Sequence, residues 1–278
     1  MPWNVVRKEK AFFKVTDMVE SYLYGIFFIL GALVGSFLNV VILRLPAEGE
    51  SIVFPPSHCP RCRAGIRWYD NIPIVSFVLL RGRCRSCGQP ISLQYPLVEL
   101  TMALLSLALF RRFGLTVAAA GYFVFSAALL VIIFIDLYHQ LIPDVISLSG
   151  IVAGFLFSFV NPYLTWQTSA LGIFLGGGSL YLVAAGYYLL TRREGMGGGD
   201  IKLLAMIGAF LGWQSLPFVI FSSSLGGTIV GLGAMVKQKK GGKTVIPYGP
   251  FLACGSLLYL FFQERILHLF AQLFLMNP

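Results

Sequence analysis

Two acids and four cysteines have the types and spacing to do chemistry. Asp200 follows Gly195-Met196-Gly197-Gly198-Gly199 and precedes Ile201-Lys202 and an apolar run from Leu203 to Trp213. A carboxylate at the edge of a membrane-grade segment is costly to hold there and usually marks function or a buried partner. Glycine lacks a Cβ, so another chain can pass close to it; Gly197 and Gly199, with Lys202 beyond, make an open approach to one carboxyl. Such a loop alone would be only a turn before a dipole-favoured helix acid. The second acid changes that reading. Asp136 lies in Ile135-Asp136-Leu137-Tyr138-His139-Gln140-Leu141-Ile142-Pro143-Asp144, at the end of an apolar run. A helix C-terminus disfavours an anion, so a stabilising role does not account for it. Asp144, just after Pro143, suits a replaceable helix N-terminal acid. His139 is read as a polar loop residue. Two carboxyls sharing a proton are the aspartic-protease device: one takes a proton from water while the other donates to the carbonyl. Asp136 and Asp200 are the candidate catalytic pair.

The cysteines stand as Cys59-Pro-Arg-Cys62 and Cys84-Arg-Ser-Cys87. Two Cys-x2-Cys knuckles at this separation form the pattern of a four-thiolate structural zinc site, whose closed tetrahedron leaves no position for catalysis. Disulfides are the competing reading, which a reducing cytoplasmic setting disfavours. A small insert with few large apolar residues needs the metal to fold. Cys254, alone in an apolar run, reads as a small buried hydrophobe.

The elements that must position these groups are membrane helices. With 57% hydrophobic and 12% charged residues and a mean hydropathy of +0.78, the chain departs far from a soluble domain. The pattern predicts an all-α polytopic membrane protein with about eight spans: Tyr22–Leu45, Leu97–Phe110, Leu115–Ile135, Val145–Val160, Ala170–Leu190, Ile201–Leu211, Leu216–Val236 and Pro250–Phe262. Gly25, Gly31 and Gly35 supply close-packing positions in the first span. The domains expected are an N-terminal segment (1–21), the first span (22–45), a Cys-rich zinc-ribbon-like insert (46–96) and a seven-helix region (97–278). Residues 263–275 either cross the interface or lie on it. One side of the membrane would hold 14 Lys and Arg and the other 7. The positive-inside rule then makes the majority side cytoplasmic, with the insert, Asp136, Asp200 and the 237–243 loop on it and both termini outside. The net charge of +9 is topology information rather than a nucleic-acid signal.

These residues together resemble the prepilin peptidase family, the bacterial type IV leader peptidases of the Gly-x-Gly-Asp aspartic type. The resemblance is carried by Gly35-Ser36-Phe37-Leu38-Asn39-Val40-Val41, the two cysteine pairs, Asp70-Asn71-Ile72-Pro73, Arg81-Gly82-Arg83-Cys84, Tyr95-Pro96 with Glu99, the 136–144 segment and Gly197-Gly198-Gly199-Asp200-Ile201-Lys202. It implies catalysis by Asp136 and Asp200 in a bacterial inner membrane. The substrates implied are prepilins and pseudopilins of type IV pilus and type II secretion systems. These are cut after a glycine, between a short basic leader and an apolar helix. It also implies N-methylation of the new terminus by S-adenosylmethionine, with determinants in or near the Cys-rich region; no Gly-x-Gly-x-x-Gly loop marks that activity here. A transporter with intramembrane acids is a rival reading, as is a non-catalytic scaffold with a zinc-ribbon docking domain. A transporter favours midplane acids in repeated halves, which this chain lacks. A scaffold leaves the approach to Asp200 unexplained.

Overall fold

The computed structural model describes residues 3–47, 49–193, 197–238 and 246–275, with side chains from residue 20 onward except 237–238, 270–271 and 273–275. Among the described residues there are nine α-helices and no strands, only two isolated β-bridges. The helices are α1 (Trp3–Arg44), α2 (Val75–Leu79), α3 (Gln94–Phe113), α4 (Val117–His139), α5 (Asp144–Phe157), α6 (Trp166–Thr191), α7 (Gly198–Leu211), α8 (Leu216–Gln238) and α9 (Gly249–Leu275).

Each of the eight expected spans falls on one of these helices, with α2 extra. Length together with apolarity separates them. Glu20–Arg44, Val117–His139, Trp166–Thr191 and Trp213–Val236 are long and apolar enough to cross a bilayer. By contrast, α5 and α7 have 14 residues each. At 1.5 Å per residue that is about 21 Å, short of a hydrocarbon core about 30 Å thick. The helix of residues 249–275 continues past the expected end at 262 with a kink at Phe262.

The chain forms two compact units, residues 1–41 with 51–115 and residues 42–50 with 116–278. In the first, α1 lies against α3. A Cβ on Gly31 would stand 2.6 Å from the Met102 carbonyl, and one on Gly35 2.7 Å from the Glu99 Cα. Gly25 touches nothing within 4 Å and takes no part in this packing. Buried Asn39 donates to the Tyr95 carbonyl at 3.1 Å, and buried Glu99 accepts the Ile74 N–H at 2.7 Å. Between α1 and α3 the insert is short turns, the 3-10 turn Trp68–Asn71 and α2.

The second unit is built around α7. Every residue from Leu203 to Leu211 is buried, as expected of a helix apolar on all sides and enclosed by neighbours. It touches α5, α6 and α9. At the α6–α7 crossing Gly172 meets Gly208, and a Cβ on either would land on the carbonyl of the other. Backbones this close fix α7 along its axis. Local signals set the ends: the Thr116 and Thr165 hydroxyls accept N–H groups of Ala119 and Thr168 at the starts of α4 and α6. Gly212, at φ +77°, closes α7.

Candidate active site

Asp136 sits in the last turn of α4, where four carbonyls lack intrahelical donors and repel an anion. Gln140, at φ 52°, ends the helix and donates its N–H to the Asp136 carbonyl oxygen at 2.9 Å. The carboxylate finds its compensation 113 residues further on. Asp136 Oδ2 accepts the backbone N–H of Gly249 at 3.0 Å, in a buried site. Gly249 is the first residue of α9. Its N–H is one of the unsatisfied donors of a helix start, and the α9 dipole points its positive end at the carboxylate. An acid misplaced on its own helix is thus well placed on another.

Asp200 occupies the first turn of α7, the favourable end of its helix. Its carboxyl lies near enough to Asp136 for the two charges to act on each other, and it accepts no hydrogen bond from a described residue.

The segment between α4 and α5 spaces the pair. Buried Ile142 reaches both neighbours: a Cβ on Gly199 would fall 2.9 Å from Ile142 Cβ, and one on Gly249 would fall 3.2 Å from Ile142 Cδ1 and 2.6 Å from Asp136 Oδ2. Gly199 and Gly249 are therefore glycines by close approach. Gly197 precedes α7, exposed and with nothing within 4 Å of a Cβ built on it. Lys202 Nζ donates to both Asp144 oxygens, at 2.7 and 2.8 Å. That ion pair joins the N-terminal part of α7 to the first turn of α5. Asp144 is the first residue of α5, the N-terminal position expected from Pro143, and it is exposed. His139 is exposed as well.

Gly195, Met196 and the 239–243 part of the basic loop lie outside the described residues. Sequence reasoning missed Gly249, Ile142 and the partner of Lys202. Tyr248-Gly249-Pro250, a glycine before a proline where an apolar run begins, was the available signal for a helix start.

In the first unit the four cysteines form one cluster. Their Sγ atoms all lie within 4.8 Å of one another, and those of Cys59 and Cys87 are 3.9 Å apart. A zinc tetrahedron with bonds of about 2.3 Å has sulfur–sulfur edges of about 3.8 Å, so the donor set fits the ion. The two knuckles repeat one design. Cys59 N–H donates to the Ala64 carbonyl and Arg63 N–H to Cys59; Cys84 N–H donates to Gln89 and Gly88 N–H to Cys84, all at 2.9 Å. Arg63 and Gly88, each following the second cysteine of its knuckle, both have positive φ. Arg85, inside the second knuckle, grips Asp70 through Nε at 2.7 Å and Nη2 at 2.6 Å, which lowers the Asp70 pKa. This gives the Asp70-Asn71-Ile72-Pro73 stretch a structural task. Cys254, expected to be buried, is exposed on α9; on a membrane helix an apolar thiol at such a surface needs no protein cover.

Comparison with known proteins points the same way. Residues 29–113 match the family model described as the bacterial Peptidase A24 N-terminal domain, and residues 123–232 match that of the type IV leader peptidase family. A protein of Pseudomonas putida is 36% identical over 270 residues, covering 90% of this chain and 94% of its own. One of Pseudomonas aeruginosa is 39% identical over 266 residues, covering 88% and 92%. One of Neisseria gonorrhoeae is 39% identical over 247 residues, covering 81% and 85%. All three are named prepilin leader peptidase/N-methyltransferase. No solved structure gives a significant match.

Proposed function

The chain belongs to the type IV leader peptidase family, and from that premise we propose that Asp136 and Asp200 are the carboxyl pair with which it cleaves prepilins. The relatives' names carry two activities, prepilin leader proteolysis and N-methylation, and the reading for this chain is the same. The observation that supports the assignment is the convergence of three helix ends: Gly249 N–H at the start of α9 is held by Asp136 at the end of α4, and Ile142 packs against both Gly249 and Gly199, the neighbour of Asp200 at the start of α7. Gly249 occupies one Asp136 oxygen and fixes its orientation, leaving the other for a shared proton or the attacking water. The ionised member of the pair takes the proton of a water molecule; the protonated member donates to the scissile carbonyl as the tetrahedral intermediate forms. As the C–N bond breaks, the carboxyl that took the water's proton passes it to the leaving amine, and the other recovers its own proton from the gem-diol hydroxyl, which restores the pair.

The cut falls after a glycine, between a basic leader and an apolar helix. Under the positive-inside rule the leader stays cytoplasmic, which sets the scissile bond level with a carboxyl pair at that boundary of the inner membrane. The four helices long enough to span support the membrane setting. The cysteine cluster holds structural zinc, with all four coordination positions taken by protein. S-adenosylmethionine would supply the methyl group; the described residues form no sheet and the chain has no Gly-x-Gly-x-x-Gly loop, so no strand-borne nucleotide cradle of that kind is present to hold it.

The test is incubation of the purified chain with a purified prepilin, read by mass. Loss of the leader by the wild type, absent in Asp200→Asn, is the expected result, with 14 Da of added methyl when S-adenosylmethionine is supplied. An uncut prepilin would leave the transporter and scaffold readings.

A further inference from the structure

A groove of about 480 Å3 opens along α8 in the second unit, lined by Ser224, Gly227, Thr228 and Gly231 of that helix and by Tyr248 and Phe251 at the start of α9, with other apolar residues. We propose that this groove receives the apolar helix of the substrate, the segment just downstream of the cut. The inference rests on the prepilin reading above and adds where the substrate's membrane segment lies.

Position comes first. Tyr248 forms part of the groove wall, and the next residue, Gly249, donates to Asp136 Oδ2 at 3.0 Å. The groove wall thus includes the residue next in sequence to the one that holds Asp136. A substrate cut beside Asp136 and apolar immediately afterwards must lay that segment down within a few residues. Size agrees with this. One turn of α-helix rises 5.4 Å with a diameter of 10–12 Å, a cylinder of about 500 Å3 including side chains.

Its chemistry suits an apolar guest. No Asp, Glu, Lys or Arg lines it, so the charged leader finds no partner there and the apolar segment does. The hydroxyls are already engaged: Ser224 and Tyr248 lie 3.2 Å apart, and Thr228 donates to the Ser224 carbonyl at 2.7 Å. Small residues at 224, 227, 228 and 231 recur at helical spacing on one face, which lets a second helix backbone come close in a bilayer.

Glycine weakens a helix interior, and Gly227 is not demanded by the packing of α8 on α9. A Cβ there would stop 3.8 Å from the Phe251 ring, an ordinary contact, whereas one on the neighbouring Gly226 would come within 3.1 Å. The space left by Gly227 is free for a partner.

The experiment is a graded series, Gly227→Ala, Gly227→Val and Gly227→Leu. Each is assayed on a full-length prepilin and on a shortened substrate that ends a few residues after the scissile bond. The expected result is a KM for the full-length substrate that climbs along the series, on the order of tenfold at leucine, with kcat held and the full-length to shortened KM ratio rising. Ile229→Phe, at a residue of α8 outside the groove and 62% exposed, leaves that ratio unchanged. The alanine variant meets only an ordinary contact, so it reports even if leucine impairs folding. A ratio flat across the series while the wild type cleaves both substrates overturns the inference and leaves the groove as a lipid-filled surface. Failure of the wild type to cleave either substrate removes the proposed function itself, a separate outcome.

Discussion

The cysteine cluster and the carboxyl pair are built in opposite ways. All four cysteines lie between residues 59 and 87, and each knuckle closes its own backbone hydrogen bonds before a metal is considered. The carboxyl pair draws on residues 136, 142, 199, 200 and 249, from α4, the loop after it, α7 and α9. One site is assembled by local turns and the other by helix packing. A change near the cysteines should therefore stay near them, while the carboxyl pair should be vulnerable from a distance.

The largest effect should come from the pair itself. Asp136→Asn and Asp200→Asn should each lose at least about a thousandfold in prepilin cleavage, since an amide can neither accept the water's proton nor carry the shared one. Metal content, read by elemental analysis, should stay at one zinc per chain. Zinc loss in either variant would break the separation between the two sites.

Next come two kinds of glycine change. Gly199→Ala would drive a methyl to 2.9 Å from Ile142 Cβ, beside Asp200. Gly172→Val would push α6 off Gly208 at the crossing, far along α7 from the acid. Both should cost cleavage on the order of a hundredfold, because small misplacement of a catalytic carboxyl is costly, and both should keep zinc. Full activity in Gly172→Val would show that the α6–α7 crossing does not position Asp200.

A smaller effect on cleavage, with a large one on metal, should follow Cys59→Ser, Cys62→Ser, Cys84→Ser and Cys87→Ser. All four should lose zinc alike, since a tetrahedral thiolate site needs every member. Chelation should slow proteolysis only as the insert unfolds, monitored by time-resolved leader removal after chelator addition. Immediate, zinc-reversible loss would place a metal at the cutting site and undo the comparison.

The smallest effect belongs to the Asp144–Lys202 pair. Both side chains are well exposed, and an ion pair of that kind is worth about 0–1 kcal/mol. Asp144→Asn should cut nearly as wild type, with a slight drop in thermal stability. The swapped pair Asp144→Lys with Lys202→Asp should recover part of any loss seen in the single changes. An inactive Asp144→Asn beside a normal Asp136→Asn would show that the wrong first acid has been assigned.

Much of this was legible because its causes are local or chemical. Asp136 stood out through a mismatch with its own helix end, and Asp200 through its glycines. The cysteine spacing implied a cluster whose Sγ atoms meet within 4.8 Å. Hydropathy located the eight main helices of the described residues because burial in protein and burial in lipid select the same residues. That same equivalence hid which helix is enclosed by protein: α7, apolar all round, is buried among α5, α6 and α9. Cys254 was misplaced for a related reason, since apolarity in a membrane protein does not tell the interior from the lipid surface.

Residue types and spacing by themselves determined the family and the thiolate set and singled out two acids as candidates, because each is written in a short stretch of chain. Tertiary structure alone decided how the acids are held. The donor to Asp136 is a backbone N–H, a group every residue but proline carries, and its value comes from standing at the start of α9. Likewise Ile142 matters for the two glycines it touches, and Lys202 for the carboxylate it reaches. None of these pairings leaves a mark in residue type or local spacing, because they arise only when helices distant in the chain pack against one another.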